Sequence, residues 1–172
     1  MLSIPCLQTP RLILRPFAPA DAPELHRIYH AEGVLRYFPV AGPPSLEKVE
    51  RFVARQAEHW EKHGYGNWAV QPKDADGLIG WAGLQYVSEL QETEVGFLFD
   101  RPQWGKGFAT EAALAALEFG FRQRELDRII ALVFAENLAS RRVIAKCGMD
   151  YIDPVEIWGV SLLRYCKARP AV

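Results

Sequence analysis

Gly105 and Gly107 flank Lys106 where a short apolar strand pattern gives way to a long helical one, in the run Trp104-Gly105-Lys106-Gly107-Phe108-Ala109-Thr110-Glu111. Glycines at this spacing permit a tight turn and remove the Cβ atoms that would keep a ligand from the backbone amides. The first-turn N–H groups of a helix lack partners inside it and carry the positive end of its dipole, so a phosphate or pyrophosphate is their natural ligand. Lys106 adds a charge at the rim. The competing reading is an ordinary glycine turn ahead of a helix. Two histidine pairs, His26/His30 and His59/His63, have the i, i+4 spacing that can hold a metal on one helix face. Neither has a third ligand, so surface or capping roles suit them better and no metal is expected.

The elements that position this turn follow from periodicity and punctuation. Arg11 to Pro16 reads as a first strand closed by its proline. Ala18 to Ala31 carries Leu25, Ile28 and Tyr29 at helical spacing, with Gly33 as its stop. After the Pro39 to Pro44 stretch, Ser45 caps a second helix running to about Lys62. Asn67 to Gln71, Leu78 to Tyr86 and Glu94 to Phe99 read as an antiparallel meander, with Ser88 to Thr93 as the last connection. Phe108 to Arg124 is a largely apolar helix with Leu114, Leu117 and Phe121 as its larger packing positions. Ile129 to Phe134 is a continuous apolar run, the pattern of a central strand, and is expected parallel to Glu94 to Phe99. That crossover places the glycine turn at the carboxyl end of the Glu94 strand, where open α/β sheets bind ligands. Asn137 to Cys147 forms a last helix ended by Gly148. Two closing strands near Met149 to Asp153 and Ile157 to Lys167 flank a turn containing Pro154.

With 172 residues and 49% hydrophobic content, the chain suits a single domain, 1–172, with a core able to fold without staples. A formal charge of −1 with interleaved signs offers no footprint for nucleic acid or anionic lipid. The three cysteines, Cys6, Cys147 and Cys166, are too few and too scattered for a disulfide framework. A reducing, cytoplasmic setting is expected, with no signal peptide and no membrane span.

Which phosphate-bearing ligand the turn takes is narrowed by what each alternative demands. A P-loop needs Gly-Lys-Ser/Thr, and Gly107 follows Lys106 here; a dinucleotide fingerprint would need glycine at Thr110 and an acid about twenty residues on. The run instead resembles the pyrophosphate loop of the GNAT acetyltransferases, Gln/Arg-x-x-Gly-x-Gly/Ala, with Trp104, Gly107 and Ala109 at the three specified places. Trp104 departs from the Gln/Arg preference. The branch it resembles includes the ribosomal-protein alanine N-acetyltransferases. Thr9 to Pro16, Glu94 to Phe99, Asn137 to Val143 and Lys146 to Met149 agree with it, so the likeness covers nearly the whole chain.

The resemblance implies an α/β GNAT fold, a mixed central sheet of about seven strands with helices on both faces. It implies acetyl-coenzyme A held by Trp104, Gly105, Lys106, Gly107, Phe108, Ala109 and Thr110, and no metal. It also implies that the strand at Phe97, Leu98 and Phe99 splays from its parallel neighbour, freeing backbone groups for pantetheine and the thioester oxygen; Gly96 would ease that irregularity. Asn137, just beyond the parallel strand, is placed to bond the pantetheine arm or to cap its helix. Arg142 can reach a phosphate. Ser140, one turn on and facing the same way, is the candidate general acid for the departing thiolate. Glu94 is the candidate general base, with Glu156 as rival. The two early helices border the acceptor groove in this family, which points to Tyr37 and Phe38 as acceptor contacts. The acceptor expected is a primary amine, either a protein N-terminus or a small molecule such as a polyamine, amino acid or antibiotic. A non-catalytic acyl-coenzyme A binding module is the rival of another class. Family habit leaves a homodimer open.

Overall fold

The computed structural model describes residues 3–171. Its elements are β1 (Leu7–Gln8), β2 (Leu12–Arg15), α1 (Ala22–His30), α2 (Leu46–His63), β3 (Asn67–Pro72), β4 (Gly80–Val87), β5 (Glu92–Phe99), α3 (Phe108–Arg122), β6 (Arg128–Val133), α4 (Leu138–Lys146), β7 (Asp150–Ile157) and β8 (Val160–Ala168). They build one mixed sheet of eight strands in the order β1-β2-β3-β4-β5-β6-β8-β7. Every neighbouring pair is antiparallel except β5 and β6. The fold class is the expected one. The strand beyond the seven anticipated is β1, whose two residues are too short to carry a periodic signal.

Strand alternation divides the core between the two faces of the sheet. From β4, Ala82 and Leu84 enter the cluster shared with α3, while Trp81 enters the one beneath α1 and α2. From β5, Val95, Phe97 and Phe99 face the α3 side and Leu98 faces α1 and α2. Local chemistry sets the helix ends. The Ser45 side chain accepts from the Lys48 amide at the start of α2, and Gly64, with φ 73°, ends that helix in the left-handed region. At α4, the Asn137 Oδ1 accepts from the Ser140 amide at 3.1 Å.

Four expectations shift. Helix α1 begins at Ala22 rather than Ala18, because Pro19–Asp21 forms a 3-10 turn. The Asp21 carboxylate closes that turn by accepting from the Ala18 amide at 2.7 Å and from both terminal nitrogens of Arg15. The β4–β5 connection is the short turn 88–91, with Thr93 already inside β5. In α3 the packing face is Ala112, Ala113, Ala116, Leu117 and Gly120 with two phenylalanines, whereas Leu114 is 41% exposed. It sits about 200° round the helix from Ala116. Finally, Pro154 lies inside β7, and the hairpin turn is made by Trp158 and Gly159, with φ 52° and 75°. Proline is tolerated there because β7 is an edge strand that can spare one N–H.

Candidate active site

Strands β5 and β6 meet at one register pair, Glu94 with Ile130, and then part. Two cavities open where they separate. The first, about 530 Å³, runs from the Gly105–Gly107 turn past Phe97 and Phe99 to the start of α4. The second, about 500 Å³, lies deeper between the strands, with Glu94, Gly96 and Phe97 on one wall and Leu132 and Val133 on the other. Phe38, Phe97, Asn137 and Ser140 line both, so the two form one continuous cleft. Gly96 is not the source of the splay. Its φ is not positive, and a Cβ there would make only an ordinary 3.4 Å contact with Trp81.

At the cleft's outer end the glycine turn is built to receive an anion. Gly105 and Gly107 have φ of 75° and 82°, a conformation that side-chain-bearing residues rarely adopt. Gly107 is the N-cap of α3 and supplies no side-chain cap, so the first-turn amides of Phe108, Ala109 and Thr110 stand at the cavity wall uncapped. Arg36, Arg142 and Lys146 add positive charge around the same cavity, and Arg101 lines it paired with Glu32 at 3.1 Å. Lys106 does not line it, although its Nζ donates at 3.1 Å to Oε1 of Gln103, which does. Trp104 lines the cavity, but its indole N–H donates to the Phe99 carbonyl at 2.8 Å and so occupies a group expected to be free. The Leu98 side chain is buried in the α1–α2 core, which leaves only its backbone at the slot.

The chain ahead of β2 braces this turn, a role that local pattern did not disclose. Arg11 donates from Nη1 to the Lys106 carbonyl at 2.8 Å and from Nε to Glu111 Oε2 at 2.7 Å. Glu111 also accepts from the Thr9 hydroxyl and the Arg11 amide. Burial opposes the charged carboxylate of Glu111, yet these bonds outweigh it and hold the acid below its ordinary value.

At the inner end, Glu94 sits where the strands part. It keeps an opening to the cleft, but its carboxyl is crowded by protein atoms, and burial pushes its pKa up to about 7 against a weaker pull from the Leu132 backbone amide. A carboxyl poised there can accept a proton near neutral pH. The rival, Glu156, is exposed on the edge strand β7 and lines neither cavity. Ser140 lies at the junction of the two cavities, and Asn137 both caps α4 and lines them.

Residues 11–150 match the family model described as an acetyltransferase (GNAT) domain. The chain belongs to the GNAT acetyltransferase family. Among relatives of this GNAT chain is the uncharacterized N-acetyltransferase YnaD of Bacillus subtilis (strain 168), 33% identical over 144 residues, covering 83% of this chain and 81% of YnaD. A GNAT-family acetyltransferase from Bacillus anthracis superposes with a TM-score of 0.83 at 26% identity, covering 96% of this chain and 99% of the other. RimL, a ribosomal L7/L12 alpha-N-protein acetyltransferase in complex with coenzyme A, has a TM-score of 0.79 at 15% identity and covers 95% of this chain and 98% of its own. That last likeness is one of fold.

The GNAT cleft continues past Glu94 to a wall that pattern reading largely missed. Phe38 lines it as expected, and Tyr37 stands at the outer cavity, tilted against Phe134 with ring centroids 6.3 Å apart. Asn67, Trp81, Gln85 and Trp158 complete the inner wall. Gln85 could have been found only from register, since it is the β4 partner of Glu94. Trp158 arrives from the β7–β8 turn, and its Nε1 donates to Glu89 Oε1 at 3.0 Å. One ring of each histidine pair is held by backbone: His30 Nδ1 lies 2.8 Å from the His26 carbonyl, and both ring nitrogens of His59 are engaged by backbone groups.

Proposed function

We propose that this GNAT chain is an N-acetyltransferase that moves an acetyl group from acetyl-coenzyme A to a primary amine. The observation that carries the reading is the continuous cleft from the uncapped glycine turn at Gly107 to the Glu94 carboxyl, along the open side of β5. The fit to the coenzyme rests on the chain's own donors. Uncapped first-turn amides and the guanidinium groups of Arg36 and Arg142 suit a diphosphate, and the side of β5 that β6 leaves unpaired at Phe97 and Leu98 suits an extended amide-bearing arm. The RimL complex with coenzyme A supports the same assignment by analogy of fold.

The thioester supplies the activated acetyl group, so the protein's task is positioning and proton handling. Glu94 acts as general base. Its raised pKa leaves it a carboxylate above neutrality that takes the proton from an acceptor ammonium, directly or through a water, and yields the nucleophilic amine. A backbone N–H on the open side of β5 stabilises the oxyanion as the amine attacks. Ser140 is the general acid, delivering a proton to the sulfur as the thiolate leaves. Tyr37 and Phe38 are acceptor contacts, and a protein N-terminal amine is the favoured acceptor, supported by the resemblance to the ribosomal-protein branch.

The test is release of free thiol from acetyl-coenzyme A in the presence of amine panels, with N-terminal peptides in one arm and polyamines, amino acids and aminoglycosides in the other. Thiol release dependent on the amine is expected. Tight coenzyme binding with no turnover on any amine overturns the enzyme reading in favour of an acyl-coenzyme A binding module.

A further inference from the structure

Beyond Glu94 the inner cavity opens onto a groove between α2 and the end of β4, of about 540 Å³, which shares Asn67 and Gln85 with it. The groove is lined by Lys48, Arg51, Arg55 and His59 from α2 and by Gln85 and Tyr86 from β4, and no carboxylate lines it. The spacing of Lys48, Arg51 and Arg55 puts them on one flank of α2; of the helix's four acidic residues, Glu50 and Glu61 fall on the opposite flank and Glu47 and Glu58 border the basic one beside Arg51.

Among the described residues, two of the three cations in the groove make no ion pair. Arg51 pairs with Glu47 at 2.5 Å, but among the described residues Lys48 and Arg55 make no ion pair. His59 contributes none. Its Nε2 accepts from the Tyr86 amide at 3.2 Å, which requires that nitrogen to be unprotonated, and its Nδ1 then donates to the Tyr65 carbonyl at 2.8 Å. What remains are two cations without an ion pair beside the groove, one cross-strand step from the candidate base. Gln85, the register partner of Glu94, is that step; directly opposed residues have Cβ atoms roughly 5 Å apart.

We infer that this groove is a subsite for an anionic group of the acceptor, so that preferred amines carry a carboxylate remote from the amino group, held by Lys48 and Arg55. The inference rests on the acetyl-transfer reading for the amine end only. Gln85 and Asn67 separate the carboxylate from Glu94, so the acceptor spans from the base to the basic flank of α2 with its amino group inward. An acidic peptide N-terminus and a free acidic amino acid share this chemistry.

Binding tests it without turnover. The acetylated, C-terminally amidated tetrapeptides Ac-Ser-Glu-Glu-Ala-NH2 and Ac-Ser-Gln-Gln-Ala-NH2, and free glutamate, are titrated calorimetrically into the full chain. The acidic peptide is expected to bind on the order of tenfold more tightly than the amide peptide at low salt, with the gap closing near 0.5 M salt as exposed charges are screened. K48Q/R55Q is expected to abolish the gap, and the charge-matched K73Q/R122Q, on remote surfaces, to keep it. Glutamate binding as tightly as the acidic peptide assigns the site to a small acidic amine; binding far more weakly assigns it to a peptide. Equal affinity of the two peptides, or equal loss in the charge-matched variant, overturns the subsite. Charge-dependent binding with no thiol release in the parallel assay upholds the groove and removes the transferase reading.

Discussion

Along its β4 side, β5 pairs at eight consecutive positions from Glu92 to Phe99, whereas along its β6 side it pairs at Glu94 alone. The same backbone is thus held as structure on one side and left available on the other. The glycines facing each other in register show how different the demands are. A Cβ on Gly83 of β4 would come within 2.3 Å of the Gly66 carbonyl oxygen and 2.5 Å of Asn67 Cα, both backbone atoms. On Gly96 of β5 it would meet only the Trp81 ring at 3.4 Å. Gly83 tolerates no added atom because the main chain entering β3, at Gly66 and Asn67, lies against it, whereas Gly96 has room because only the edge of the Trp81 ring lies above it. A sheet can therefore keep a rigid scaffold and a binding slot on two edges of one strand, provided that the rigid edge carries the register.

The largest expected effect tests the open side. Glu94→Gln should lower kcat by about 10²- to 10⁴-fold with coenzyme affinity little changed. In the wild type the base is competent only as carboxylate, so the rate should climb with pH and level off above a midpoint near 7, where burial has moved the acid. Stability should move the other way. The folded state holds this proton more tightly than an ordinary carboxyl of 4.5, so stability falls as pH rises from there towards 7, and Glu94→Gln should remove that decline in a thermal melt. A flat profile would sink the assignment. Next comes the scaffold behind β5: Gly83→Ala should cost about 3 kcal/mol, roughly 6 to 12 °C in Tm, because the backbone at Gly66 and Asn67 must shift.

At the mouth of the cleft, Gly107→Trp should reduce coenzyme A affinity by about 100-fold while circular dichroism shows the fold retained, since the indole fills the cradle at a φ of 82°. Unchanged affinity in calorimetry would move the diphosphate elsewhere. Ser140→Ala should lower kcat on the order of tenfold with binding intact, a smaller loss because a thiolate with a pKa of about 8.5 leaves with modest help. Smallest of all, Gly96→Ala should change stability by less than about 0.5 kcal/mol in denaturant melts. A cost near that of Gly83→Ala would erase the distinction between the two facing glycines.

How much of this was legible before folding depended on the range of each signal. The caps at Ser45 and Asn137, the stop at Gly148 and the uncapped start of α3 are decided within one turn of chain, and they stand where pattern put them. Glu94 and Ser140 could be named from their places beside the crossover, yet that Ser140 joins the two cavities, and that Glu156 lines neither, emerged from the assembled sheet. Pattern placed Leu114 with Leu117 because both are apolar leucines of one helix, but the sheet covers only one face of α3 and leaves Leu114 outside.

From its residues alone this chain determined where helices start and stop, that a glycine turn opens α3 with bare amides, and that a central apolar strand follows, because these rest on φ preferences, capping and periodicity among near neighbours. Only the tertiary structure decided that β8 slots between β6 and β7, that Pro154 falls on an edge, and that Gln85 and Trp158 meet Glu94 around one cleft. Those contacts join residues far apart in sequence, and their energy comes from register and shared burial, which no local stretch of chain encodes.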